Sequence, residues 1–243
     1  MSGMPLLRPR DILETLRDLF FPAHCAGCAV AVDAGWFCAD CEREILMVPE
    51  PRCEVCSQPY SGMMDQFVCA NCRGRAFHFG CAVAVMHSRG VVRDLIHRLK
   101  YGRELWLEEI LGEFLARGLQ DPRLTGTEID AVIPVPLHAL RKREREFNQS
   151  EILARGLARR GKLPFLDALR RLRYTVTQTH FDRSDRMQNL RDAFKLRQNV
   201  SVQGKHLLLV DDVLTTGSTL DECARVLLEA GAESVRALTV ARG

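Results

Sequence analysis

The 243-residue chain has no run that approaches the ~20 consecutive apolar residues of a membrane span. Basic residues occur near its start, but no apolar stretch of signal-core length follows them. These absences predict a cytoplasmic protein without membrane insertion. Low-complexity segments are missing, and the second half shows no internal repeat. Charge of neither sign dominates, since the formal net value is only +3. An apolar share of 47% is ample for a core, and this length fits one large domain or an ordinary domain plus a small one.

The small net charge hides an uneven distribution. Between His138 and Arg197, 16 Lys/Arg stand against 7 Asp/Glu, a local excess of +9. Such a segment in a nearly balanced protein suits an anionic ligand, either phosphates or nucleic acid, while a solvated helix face is the plainer alternative. Aromatics are sparse beside the basic segment 141–160: only Phe147, Phe165 and Tyr174 are near in sequence. A base-stacking platform therefore has little sequence support.

Cysteine is the residue in excess. Eight of the ten cysteines form four C-x-x-C pairs, Cys25/Cys28, Cys38/Cys41, Cys53/Cys56 and Cys69/Cys72, all within 48 residues. In a reducing compartment such pairs serve metal binding rather than disulfides. Each presents two thiolates to one tetrahedral ion, so two structural Zn²⁺ with four sulfurs apiece is the natural count. Sequential pairing closes the shorter loops and is favoured; cross-braced pairing stays open. Four thiolates leave no free position for catalysis. The region has too few apolar residues to fold alone, and structural zinc in such modules contributes an apparent ~10–16 kcal/mol. Cys81 and Cys223 lack partners at ligand spacing and read as inert core thiols.

Residues 207–219, LLLVDDVLTTGST, carry the second signal. Leu207 to Val210 read as a strand buried on both faces of a parallel sheet. Asp211 and Asp212 follow at its carboxyl end, where open α/β sheets bind ligands. Gly217 permits positive φ or close approach. A helix opening near Ser218 would aim free N–H groups and the positive end of its dipole at an anion. Thr215, Thr216, Ser218 and Thr219 add hydroxyls. No lysine follows the glycine, which excludes a Walker loop. A phosphate loop with two acids upstream suits a phosphorylated sugar: the loop holds the phosphate and the acids accept from vicinal hydroxyls.

Elsewhere, helical spacing predicts helices over 11–20, 90–100, 104–119, 149–160 and 218–230, with Gly231 as a C-cap. Strands are predicted at 81–87, 130–135, from Phe194, at 207–210 and over 234–241. Alternating strands and helices imply an α/β fold with a parallel, doubly wound sheet.

Residues 209–219 resemble the PRPP (phosphoribosyl pyrophosphate) loop of type I phosphoribosyltransferases. Together with the N-terminal knuckles, the chain resembles the ComF family of competence proteins over nearly its whole length. Lys100-Tyr101-Gly102, Val135-Pro136-Leu137-His138, Phe147-Asn148-Gln149 with Arg145, and Thr175, Gln178, Arg186 and Asn189 are similar to further elements of that family. Glu146 stands where the family usually has glycine, which puts the geometry of that turn in question.

The resemblance implies an N-terminal helix over 1–22, a double zinc ribbon over 23–75 and a phosphoribosyltransferase-like domain over 76–243. It further implies PRPP binding with Mg²⁺. Leu214, Thr215, Thr216, Gly217, Ser218 and Thr219 would surround the 5′-phosphate, Asp211 and Asp212 the ribose hydroxyls, and Lys100 the pyrophosphate, with Arg186 as a mobile-loop cation. Two functions follow: a phosphoribosyltransferase of unknown acceptor, or a PRPP-sensing protein that binds single-stranded DNA through Arg141, Lys142, Arg143 and Arg145. A third role, docking a helicase of the DNA-uptake machinery through the zinc module, comes from the family alone.

Overall fold

The computed structural model describes residues 23–62, 67–126, 128–173 and 191–243. The expected N-terminal helix, and Thr175, Gln178, Arg186 and Asn189, lie outside the described residues. Two compact units divide the chain, Met1–Ile45 and Leu46–Gly243.

The smaller unit is built on the first two knuckles. Cys25 N–H donates to the Val30 carbonyl at 2.8 Å, Ala26 N–H to the Trp36 carbonyl at 2.7 Å, and a short helix α1 (Ala39–Glu44) follows Cys38.

The larger unit is an α/β domain of the type I phosphoribosyltransferase kind. Its strands β1 (Ala82–His87), β2 (Ala131–Pro134), β5 (His206–Leu214) and β6 (Ser234–Arg242) form one parallel sheet in the order β1-β6-β5-β2. Phe165 extends the sheet past β2 by a parallel bridge to Val132. The chain thus moves outward from β2 but returns from β5 to β6, so the direction reverses between β2 and β5. That reversal is where such sheets open a ligand crevice beyond the strand ends.

Residues alternate between the two faces of each strand, which builds two apolar layers. On one face pack α3 (Leu107–Gly118) and α6 (Gln149–Gly161), with Leu111, Leu115, Leu153 and Leu157 fully buried, and α2 (Gly90–Tyr101) packs on α3. Leu207 and Leu209 of β5 and Ile133 of β2 face the opposite core, with Leu220, Ala224 and Leu227 of α7 (Ser218–Glu229). Each such leucine contributes about 1.5–3 kcal/mol of burial. Cys53, Cys56, Cys69 and Cys72 belong to this same core.

Helices α4 (Pro122–Thr125) and α5 (Ala139–Arg145) and the strands β3 (Leu169–Arg171) and β4 (Phe194–Leu196), an antiparallel pair, complete the described elements. The loop strand outruns its expected end at Val210. Asp211 pairs in register with Thr239 and Leu214 with Arg242, so both acids lie inside the second half of β5. Two carboxylates interrupt the apolar run without ending the ladder, because backbone pairing with β6 continues beneath them.

Candidate functional site

The site assembles where β2 and β5 end. Asn148 caps α6: its side-chain oxygen accepts from Ser150 N–H at 3.2 Å, and its amide nitrogen donates to the Val135 carbonyl at 3.0 Å. This ties the start of α6 to the end of β2 and aims the next two side chains at the acids. Ser150 Oγ donates to Asp211 Oδ1 at 2.6 Å, and Gln149 Nε2 donates to Asp212 Oδ1 at 3.3 Å. Lys100, in the last turn of α2, forms an ion pair with Asp212 Oδ2. Burial pushes the Asp211 carboxyl up to about 7, aided by the neighbouring Asp212 charge and opposed by Ser150 and Lys100.

Past the acids, Leu214 closes β5. Its side chain is buried in the core, and its carbonyl accepts from Arg242 Nη1 at 2.8 Å and from Gly243 N–H at 2.9 Å. Thr215 and Thr216 then lead to Gly217, which adopts φ +78° as the N-cap of α7. Only glycine takes this conformation without strain. Thr216 Oγ1 lies 3.1 Å from Ser218 Oγ, so hydroxyls ring the start of a helix whose first-turn amides lack intrahelical partners. A twelve-residue helix with this entry can receive an anion.

Of the basic residues of α5, Arg143 is exposed and Lys142 pairs with Glu151 at 3.4 Å. Arg141 lies 3.8 Å from Glu144. Arg145 turns toward the site: it donates to Gln149 Oε1 at 3.0 Å and to the Tyr101 hydroxyl at 2.9 Å, with its guanidinium 4.6 Å from the Tyr101 ring centre. Tyr101 is 56% exposed. Glu146 ends α5 at φ +71°, the left-handed conformation that glycine would take freely, and its carboxylate pairs with Arg103 at 3.0 Å on the surface.

Sequence reasoning missed Ser150 as a partner of the acids and Tyr101 as an aromatic neighbour of Arg145. The first was within reach, since Ser150 directly follows the F-N-Q motif at a helix start. The second was not, because Tyr101 and Arg145 lie on different helices far apart in sequence.

The cysteines gather sequentially. The sulfurs of Cys25, Cys28, Cys38 and Cys41 lie within 4.8 Å of one another, as do those of Cys53, Cys56, Cys69 and Cys72. Tandem pairing is therefore the arrangement. The 3.6 Å separations Cys28–Cys38 and Cys56–Cys69 match the edge of about 3.8 Å of a tetrahedron with ~2.3 Å Zn–S bonds. Burial opposes ionisation of Cys25, yet backbone N–H groups of Cys38, Cys28 and Gly27 bring it down to about 6; the Cys56 thiol brings Cys53 down to about 4. Both sets fit a structural zinc ion. Burial pushes the Cys81 and Cys223 thiols up, and the thiolate is the reactive form.

Residues 16–75 match the double zinc ribbon domain, and residues 128–243 match the phosphoribosyl transferase domain. Competence protein F of Haemophilus influenzae is 30% identical over 229 residues, 92% of this chain and 98% of that protein. This chain belongs to the ComF family. DNA utilization protein YhgH of Escherichia coli K12 is 32% identical over 92% of this chain and 99% of its own length. Competence protein ComFC of Streptococcus pneumoniae is 26% identical over 86% and 89% of the two chains. In this ComF-family protein, no helix among the described residues is long and apolar enough to cross a membrane.

Proposed function

We propose that the crevice beyond β2 and β5 binds PRPP and that the protein serves DNA uptake, a reading supported by relatives named for competence and DNA utilization. The observation that carries this reading is the convergence of Lys100, Gln149 and Ser150 on Asp211 and Asp212, one short turn before a glycine-capped helix. Thr215 to Thr219 receive the 5′-phosphate through hydroxyls and helix-start amides. Asp211 and Asp212 accept from the two ribose hydroxyls. As the diol takes over Asp212, Lys100 is released toward the pyrophosphate. Mg²⁺ bound with PRPP would neutralise pyrophosphate charge, a role suited to a site rich in carboxylate oxygen.

Calorimetry of the zinc-loaded protein with PRPP and Mg²⁺ tests the reading. Saturable heat is expected, and its loss in the Asp211→Ala/Asp212→Ala protein. No heat at millimolar PRPP would end the proposal. Transfer itself breaks the ribose C1–O bond to pyrophosphate, which leaves with the electron pair, and joins C1 to an acceptor. Pyrophosphate release with a panel of bases therefore separates an enzyme from a PRPP sensor.

One observation favours a second reading, a PRPP-responsive single-stranded-DNA binder. Arg145 lies over exposed Tyr101 beside the site, with Lys142 and Arg143 exposed on the same helix, and a cation–aromatic pair of this kind can stack a base and hold a phosphate. Arg145→Ala would then weaken oligonucleotide binding and lower its salt slope by about one charge; an unchanged slope would remove Arg145 from the interface.

A further inference from the structure

The segment that leaves the second cysteine cluster packs directly on the phosphate loop. Phe77 and Phe79 stack with ring centres 4.7 Å apart, and the Arg75 guanidinium lies 4.2 Å from the Phe77 ring centre. The pair walls one side of Gly217: a Cβ there would sit 3.4 Å from Phe79 and 3.5 Å from Phe77. His78 lies between the two phenylalanines in sequence; its N–H donates to Asp221 Oδ1 at 2.7 Å, and its Nδ1 lies 3.0 Å from the same oxygen. Asp221 belongs to the first turn of α7.

The other end of this ribbon is fastened to the sheet. Ser57 Oγ, fully buried, donates to the Ala82 carbonyl at 3.0 Å and accepts from Ala84 N–H at 3.1 Å on β1. Arg123 Nη1 donates to the carbonyls of Cys53 and Glu54 at 3.2 and 3.0 Å. The four sulfurs therefore connect a rigid anchor on β1 to an aromatic wall on the loop.

We propose that the second zinc ribbon positions the phosphate loop. Metal at Cys53, Cys56, Cys69 and Cys72 holds the Arg75–Phe79 segment, and that segment holds Gly217 and Asp221 in the geometry that receives a phosphoryl group. The inference rests on the reading of this loop as a phosphate site. Its physical basis is the freedom of a glycine-hinged loop, which costs affinity unless something orders it beforehand. Asp221 makes the idea sharply testable. A carboxylate one turn into α7 opposes an anion at that helix end, so on charge alone its removal strengthens phosphate binding. If it acts by tying the loop to the ribbon, its removal weakens binding.

The test uses full-length, zinc-loaded protein and two readouts, amide hydrogen exchange over residues 215–219 and calorimetric titration with ribose 5-phosphate. Phe77→Ala and Asp221→Ala should each speed loop exchange about tenfold and lower affinity about fivefold, with zinc content unchanged. Phe77→Leu should restore both. Unchanged exchange in both variants, or tighter binding by Asp221→Ala, overturns the proposal. So does an equal effect of Cys25→Ser, whose zinc site lies in the other compact unit. If wild-type protein binds no ribose 5-phosphate, the phosphate-site reading fails, and exchange alone still decides whether the ribbon orders the loop.

Discussion

Desolvation and the neighbouring Asp212 charge push the Asp211 carboxyl up to about 7, and both functional and stability consequences follow. A diol needs the ionised acid as acceptor, so PRPP affinity should rise as pH increases through about 7 and level off above it; a flat calorimetric profile from pH 6 to 8 would contradict this. Stability runs the other way. The folded-state value lies above the ordinary carboxyl range, so the contribution of this group to stability is full below about pH 4. It declines as pH rises toward about 7. Asp211→Asn should flatten that decline in urea titrations. Glu146 is the other residue whose conformation sets a prediction. It occupies a left-handed turn at φ +71° with an exposed carboxylate, so Glu146→Gly should stabilise by up to about 1 kcal/mol, measurable as a higher urea midpoint.

The start of α6 is the element that turns a capping motif into part of a site. Asn148 caps it and grips Val135, while Gln149 and Ser150 reach the two acids. Ser150→Ala removes a donor that lowers the Asp211 value, so the pH midpoint of ligand binding should move upward, a shift visible in the same calorimetric series. Asn148→Ala should cost about 1 kcal/mol from the cap alone. The F-N-Q motif was legible as a motif, but its partners were not, since Val135 and the acids meet it only across the crevice. The same holds for β5. Its apolar run marks a strand, yet its true end at Leu214 depends on the register with β6, a long-range pairing.

Across the whole molecule, the two zinc sites belong to different compact units, and their loss should read differently. Cys25→Ser should remove one zinc by elemental analysis and leave urea unfolding of the larger unit unchanged. Cys56→Ser should remove one zinc and destabilise that unit by several kcal/mol, because these sulfurs share its core. Equal unfolding midpoints would contradict the shared core. The sequence by itself determined the chemistry of each part: paired thiolates at knuckle spacing, two acids before a small-residue loop, and strands alternating with helices. Those features are local, and spacing along the chain is enough to specify them. Only the tertiary structure decided their company. It joined Lys100 to Asp212, Tyr101 to Arg145, and the second ribbon's aromatic exit to Gly217. Such contacts arise when buried faces pack against one another, and no local pattern records which partner a face will meet.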